Sequence, residues 1–201
     1  MSGVADYRRA TNKASELLLS LPSFSLTLDV FAAVKLMPDC MVISYRKAIE
    51  HYGIDPELLA SNSDYGFTFL EPKTKRRIIL YNDALPVACI RFTIAHELGH
   101  YILEHLPKDQ IASDAAEKEA NCFARNLLCP APIAKELALT SAEEYKTLFR
   151  VSSEMASIAV QYRAIDLYHI SDCNYRDILD LLYAYHMGFN NLNEFMHYLY
   201  A

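Results

Sequence analysis

The chain has 201 residues, 52% of them apolar and 22% charged, and a formal net charge of -6. That length and hydrophobicity allow one buried-core domain, or one domain with a small appendage, and exclude a disordered chain. The acidic balance excludes a protein whose main task is neutralising phosphates, so no direct nucleic-acid binding is expected.

The first ten residues carry Asp6, Arg8 and Arg9 with no apolar stretch behind them. No signal peptide is read there, and no run reaches the roughly 18 apolar residues of a membrane span, so a soluble, cytoplasmic protein is expected. From Asp6 to Leu19 the positions Ala10, Ala14, Leu17 and Leu18 keep helical spacing until Pro22 intervenes. A second helix is expected over Asp29 to Leu36, then a short buried strand Cys40 to Ser44, and a helix Tyr45 to Tyr52 ended by Gly53. Tyr65 to Leu70 and Arg77 to Tyr81 are aromatic and β-branched runs parted by Glu71-Pro72-Lys73-Thr74-Lys75, which reads as a hairpin. Lys73, Lys75, Arg76 and Arg77 form the one dense basic group and are read as a solvated turn.

Asn82-Asp83 turn the chain out of this small antiparallel sheet, and Pro86 opens a helix expected from Val87 to His105, with Pro107 as its stop. A loop over Lys108 to Ser113 leads to a helix from Asp114 to Leu128 that ends at Pro130. Further helices are expected over Pro132 to Leu139, Ala142 to Phe149, Ser152 to Ile165 and Tyr175 to Met187. Residues 1–172 are taken as the main domain, with 1–60 its less typical part. Residues 173–201 are taken as a helical extension packed on it, suited to a lid, a core helix or an oligomerisation surface. Cys40, Cys89, Cys122, Cys129 and Cys173 are odd in number and hold no C-x-x-C pair, so they are read as small hydrophobes and not as a disulfide framework.

The chemistry sits in His96-Glu97-Leu98-Gly99-His100. Histidines four apart on a helix project from one face about one turn apart, near enough to share an ion. Glu97 is offset from that face, so its carboxylate can reach a water at the metal without itself ligating, as a general base must. Gly99 costs about 1 kcal/mol of helix propensity, which points to close packing or a functional need. A catalytic zinc site takes three protein ligands and keeps one position open. His105 does not stand at the spacing of a third histidine ligand, so the next helix is expected to supply a carboxylate. Glu117 is preferred because Ala120, Asn121 and Ala124 make its face small enough for two helices to approach, with Asn121 placed to orient a ligand. Glu119, whose face carries Cys122, Phe123 and Leu127, is the competitor. Both acids would also suit a solvated first helical turn. His51, His105, His169, His186 and His197 are read as surface or capping residues, and the oxyanion donor as an unchosen Tyr or His beyond Pro130.

Arg91 to Tyr101 around this motif, followed by Glu117 to Ala124, Leu127-Leu128 and Pro130, resembles the ImmA/IrrE family of metallopeptidases, most strongly over Tyr81 to Pro130. Phe149 to Arg163 is similar to the family's downstream helix, residues before about 60 match in outline only, and Cys129 stands where Met is common. The resemblance implies a mainly helical, gluzincin-like α+β domain, zinc as cofactor, and cleavage of a helix-turn-helix repressor encoded nearby on a phage or mobile element. Two rivals stand beside this reading: a metal-containing binding protein that relieves repression by sequestering its partner, and hydrolysis of a non-peptide amide. Intact Glu97 favours an enzyme, because a structural zinc site needs a fourth ligand and no base.

Overall fold

The computed structural model describes residues 4–105 and 113–200. Helix α1 (Tyr7–Leu19) starts where the Asp6 side chain accepts the Arg9 N–H, and it buries Ala10, Ala14, Leu17 and Leu18, the face its spacing marks. Asp29 caps α2 (Val30–Lys35) in the same way. Strand β1 (Cys40–Ser44) runs into α3 (Tyr45–Tyr52), which Ser44 caps and Gly53 closes at φ 64°. A short helix that periodicity does not reveal, α4 (Pro56–Asn62), follows, with Asp55 as cap and Pro56 in its first turn. It buries Leu59 alone, so there is no apolar stripe to read.

Strands β2 (Gly66–Leu70) and β3 (Arg77–Tyr81) form the expected antiparallel hairpin, in register from Gly66 opposite Tyr81 to Leu70 opposite Arg77. The sheet is nonetheless mixed, in the order β1-β3-β2, because β1 joins β3 in parallel with Cys40 opposite Arg77 and Ser44 opposite Tyr81. The chain between β1 and β3 supplies the long crossover that a parallel pair requires. Nothing in the run Cys40 to Ser44 encodes that choice of partner. Lys73, Lys75 and Arg76 are exposed in the turn, where Glu71 accepts the Lys73 and Thr74 N–H groups. Arg77 differs: its guanidinium donates to the Tyr101 carbonyl and lies 4.6 Å over the Tyr101 ring, tying the central strand to the next helix.

The helical body comprises α5 (Val87–Ile102), α6 (Asp114–Leu128), α7 (Ala131–Glu136), α8 (Ala142–Phe149), α9 (Ser153–His169), α10 (Asp172–His186) and α11 (Leu192–Tyr200). Positions 106–112, which include the expected stop Pro107 and most of the expected loop, lie outside the described residues. The main core gathers Leu18, Ile94, Leu98, Phe123, Leu127, Ile133, Phe149 and Leu181 from six helices, while Ile43, Tyr45, Ala48, Leu59 and Leu80 fill a smaller one beside the sheet. Helix α10 buries Ile178, Leu181, Leu182 and Ala184 against this body, and α11, which periodicity also missed, buries Phe195. No helix of the described residues is long and apolar enough to cross a membrane.

All five cysteines are free. Burial pushes the Cys40 thiol up to about 11 and Cys129 up to about 12, and it raises Cys122 as well. Alkylation of the native protein at pH 8 should therefore modify exposed Cys173 first and the half-buried Cys89 more slowly. Cys40, Cys122 and Cys129 should stay unmodified until denaturant is added, as read by peptide mass spectrometry.

Candidate functional site

The site lies where α5 crosses α6. At their closest approach Gly99 faces Ala120, and a Cβ on residue 99 would come within 3.1 Å of the Ala120 Cα and 3.2 Å of the Phe123 ring. Two backbones can meet so closely only if neither brings a large side chain, which accounts for the helix-weakening glycine between the two histidines.

This contact sets His96 and His100 of α5 opposite Glu117 in the first turn of α6. The two histidine Nε2 atoms are 3.0 Å apart, and the Glu117 carboxylate oxygens stand 3.4 Å from His96 Nε2 and 3.3 Å from His100 Nε2. Ligands held about 2.0–2.1 Å from a tetrahedral zinc ion are separated by about 3.3 Å. Among the described residues this is the one group of three or more His, Cys, Asp or Glu with the compactness a metal needs.

The outer nitrogens of the two rings determine where the protons sit. His96 Nδ1 lies 3.0 Å from Asn121 Oδ1, which can only accept, so Nδ1 carries the hydrogen and Nε2 the lone pair. His100 Nδ1 is 3.3 Å from His105 Nδ1, and His105 Nε2 is 2.8 Å from Glu119 Oε2. The carboxylate again fixes the direction: His105 Nε2–H donates to Glu119, His105 Nδ1 accepts from His100 Nδ1–H, and the His100 Nε2 lone pair faces inward. With both rings neutral, three electron-pair donors thus converge on one point. A cation satisfies such a set, and imidazole, imidazole and carboxylate suit zinc.

Without an ion the same groups attract a proton, which a bound cation would displace. Burial works against a charged His96, but Glu117 and Glu97 more than offset it and raise the ring above its ordinary value. The imidazoles of His100 and His96 in turn hold the Glu117 carboxyl well below the usual carboxylate range. Burial is the largest influence on His105 and pushes it down, which keeps the ring neutral near pH 7.

Glu97 stands outside the ligand triangle but lines the same cleft, a space of about 790 Å³. One wall is Tyr65, Gly66, Phe67 and Thr68. Successive residues of a strand point to opposite faces, so Gly66, Phe67 and Thr68 in a row along the cleft mean that β2 borders it with its edge. β3 occupies the other edge of β2. Another wall is the N-cap and start of α9, with Ser152, Glu154, Met155 and Ile158. Arg91, one turn before the motif, fixes that side of the molecule by donating to the carbonyls of Leu28, Phe149 and Arg150.

Of the residues singled out by sequence, His96, His100 and Glu117 come together, Asn121 meets His96, and Glu119 takes no part in the triangle. Nor does Glu119 decorate a solvated turn; it is buried, and its second oxygen accepts the Asp6 N–H at 2.8 Å. His51, His169, His186 and His197 occupy the last turns of their helices, where a cation suits the dipole. His105 corrects the sequence reading: its side chain is 9% exposed and packed on His100, not on the surface. The only signal for it was its position just past the helix end. The expected oxyanion donor beyond Pro130 does not materialise either. Among the described residues no Tyr or His after Pro130 lines the cleft, and the phenol that does is Tyr65.

Comparison with known proteins gives one family match. A peptidase family model described as IrrE N-terminal-like domain matches residues 49–161, from within α3 to within α9, an interval that contains the whole ligand triangle and the sheet edge. No curated protein matches the chain.

Proposed function

Because the chain belongs to the ImmA/IrrE peptidase family, we propose that it is a zinc-dependent endopeptidase that cleaves a helix-turn-helix transcriptional repressor in the cytoplasm. His96, His100 and Glu117 hold the metal in this reading, Asn121 orients His96, and Glu97 is the general base. The observation that carries it is the convergence of two imidazole Nε2 atoms, 3.0 Å apart, and the Glu117 carboxylate, with one oxygen 3.4 Å from His96 and the other 3.3 Å from His100, in a cleft that Glu97 also lines. Zinc, when bound, supplies Lewis acidity toward the scissile carbonyl and makes water acidic near neutral pH. Glu97 then takes the proton of the attacking water and returns it to the leaving amine. Main-chain groups on the edge of β2 hold the peptide extended across the site, as an added strand would be held. The repressor as substrate is supported by the family resemblance, not by a particular cleft residue.

Zinc-loaded protein incubated with a candidate repressor, followed by mass spectrometry, tests the reading. Two defined fragments are expected; a stable complex with uncut repressor would instead establish sequestration. Glu117→Ala should reduce bound zinc from about one equivalent to near zero after dialysis. Glu119→Ala, which lies outside the triangle, should still load fully in excess zinc.

A further inference from the structure

We propose that His105 and Glu119 are positioning residues for the metal site, acting on it through His100. The inference rests on the metal reading of His96, His100 and Glu117, and it adds two residues outside the ligand set. Three observations carry it.

The first is the way the chain leaves α5. Glu104 takes φ 57°, the His105 N–H returns to the His100 carbonyl at 2.9 Å, and the Glu104 N–H reaches the Tyr101 carbonyl at 3.2 Å. This is the paired bonding of a Schellman ending, made without the usual glycine. A non-glycine residue in the left-handed region costs of order 1 kcal/mol and persists only where its surroundings enforce it. The reversal lays the His105 ring against the His100 ring, with centroids 5.3 Å apart.

The second is the continuity of the hydrogen bonds. His100 Nδ1–H, His105 Nδ1, His105 Nε2–H and Glu119 Oε2 form an unbranched path, and Glu119 Oε1 is held by the Asp6 N–H at the start of α1. Each buried polar atom on the path has one partner of the right kind. The third is burial: the side chains of His105 and Glu119 are 9% and 11% exposed, so water does not readily substitute for either.

A ligating imidazole needs its outer N–H engaged, both to select the tautomer that leaves the inner nitrogen free and to stop the ring from turning. Asn121 meets that need for His96. For His100 it is met by a second imidazole, with the carboxylate one ring farther out. Loss of such an outer partner typically weakens metal binding by about 10- to 100-fold.

The test uses the full chain and a size-matched pair, His105→Asn and His105→Leu, with Glu117→Ala as control. Zinc affinity is measured by competition with a chromophoric chelator. The His100 tautomer is read from two-bond proton–nitrogen correlation spectra of the metal-free protein above pH 8. Wild type should show His100 protonated at Nδ1. His105→Leu should bind zinc about 10- to 100-fold more weakly and lose that tautomer preference, whereas His105→Asn, whose amide oxygen can accept the Nδ1–H, should recover most of both. A metal-free wild type with His100 protonated at Nε2, or a His105→Leu protein that binds zinc within about twofold of wild type, would overturn the proposal. If instead Glu117→Ala binds zinc as tightly as wild type, the metal reading itself fails, an outcome distinct from failure of the relay.

Discussion

Glu97→Gln is expected to bind zinc like the wild type and to lose about 10²- to 10⁴-fold in kcat/KM, the usual loss when a general base is removed. The two side chains have the same shape, and the three ligand atoms of the site come from other residues. Packing and metal affinity should therefore hold while the ability to accept a proton disappears. The expected factor corresponds to about 3–5.5 kcal/mol of transition-state stabilisation. Zinc content and kcat/KM must be measured on the same preparation. A variant that retains zinc and cleaves at more than a tenth of the wild-type rate would remove Glu97 from the mechanism.

The largest expected effect on stability lies far from the cleft. Arg125 on α6 donates through Nε and Nη2 to the two carboxylate oxygens of Asp166 on α9, at 2.7 and 2.6 Å, and both side chains are buried. Removing one member of such a pair leaves an uncompensated charge inside the protein, a cost of about 3–5 kcal/mol against a total stability of about 5–15 kcal/mol. Asp166→Ala should accordingly lower Tm by about 6–20 °C. The double replacement Arg125→Met with Asp166→Leu should recover most of the loss, because a well-packed apolar pair escapes the desolvation penalty. Calorimetry of wild type, single and double variants decides the matter; a single variant within 2 °C of wild type would show that the pair contributes little. The bridge also joins the helix that carries Glu117 to the helix whose start forms a wall of the cleft. Partial unfolding of Asp166→Ala should therefore reach the site early.

Legibility of the fold in the sequence followed the strength of the local pattern. Helix α1 was readable because four apolar residues keep one face, and α6 because Ala120 and Ala124 make room for a neighbour. That same reasoning favours Glu117 over Glu119 as the acid nearer the two histidines. The parallel pairing of β1 was not readable, since a buried strand of five residues carries no mark of its partner. Helix α4 gave its cap and its proline but too short a stripe, and α11 buries a single side chain. His105 was misplaced for a different reason. Its position depends on a reversal at Glu104, a residue with no intrinsic preference for a left-handed turn, so the contact with His100 arises only once α6 offers Glu119. Tertiary context decided that conformation, and no window of sequence around residue 105 contains it.

The strand edge along the cleft has a further consequence for which bonds can be cut. An edge of β2 reads main chain, and main chain can pair with it only when extended. The proposed helix-turn-helix substrate would keep most of its backbone groups engaged within its own helices, so a scissile segment inside it would first have to open locally. The rate of cleavage would then scale with the population of that opened form, tenfold for every 1.4 kcal/mol of local stability. Selectivity would then reside largely in the victim: among several proteins with similar side chains at the cut, the one with the loosest segment would be destroyed first, and whatever loosens it in the cell would set the timing.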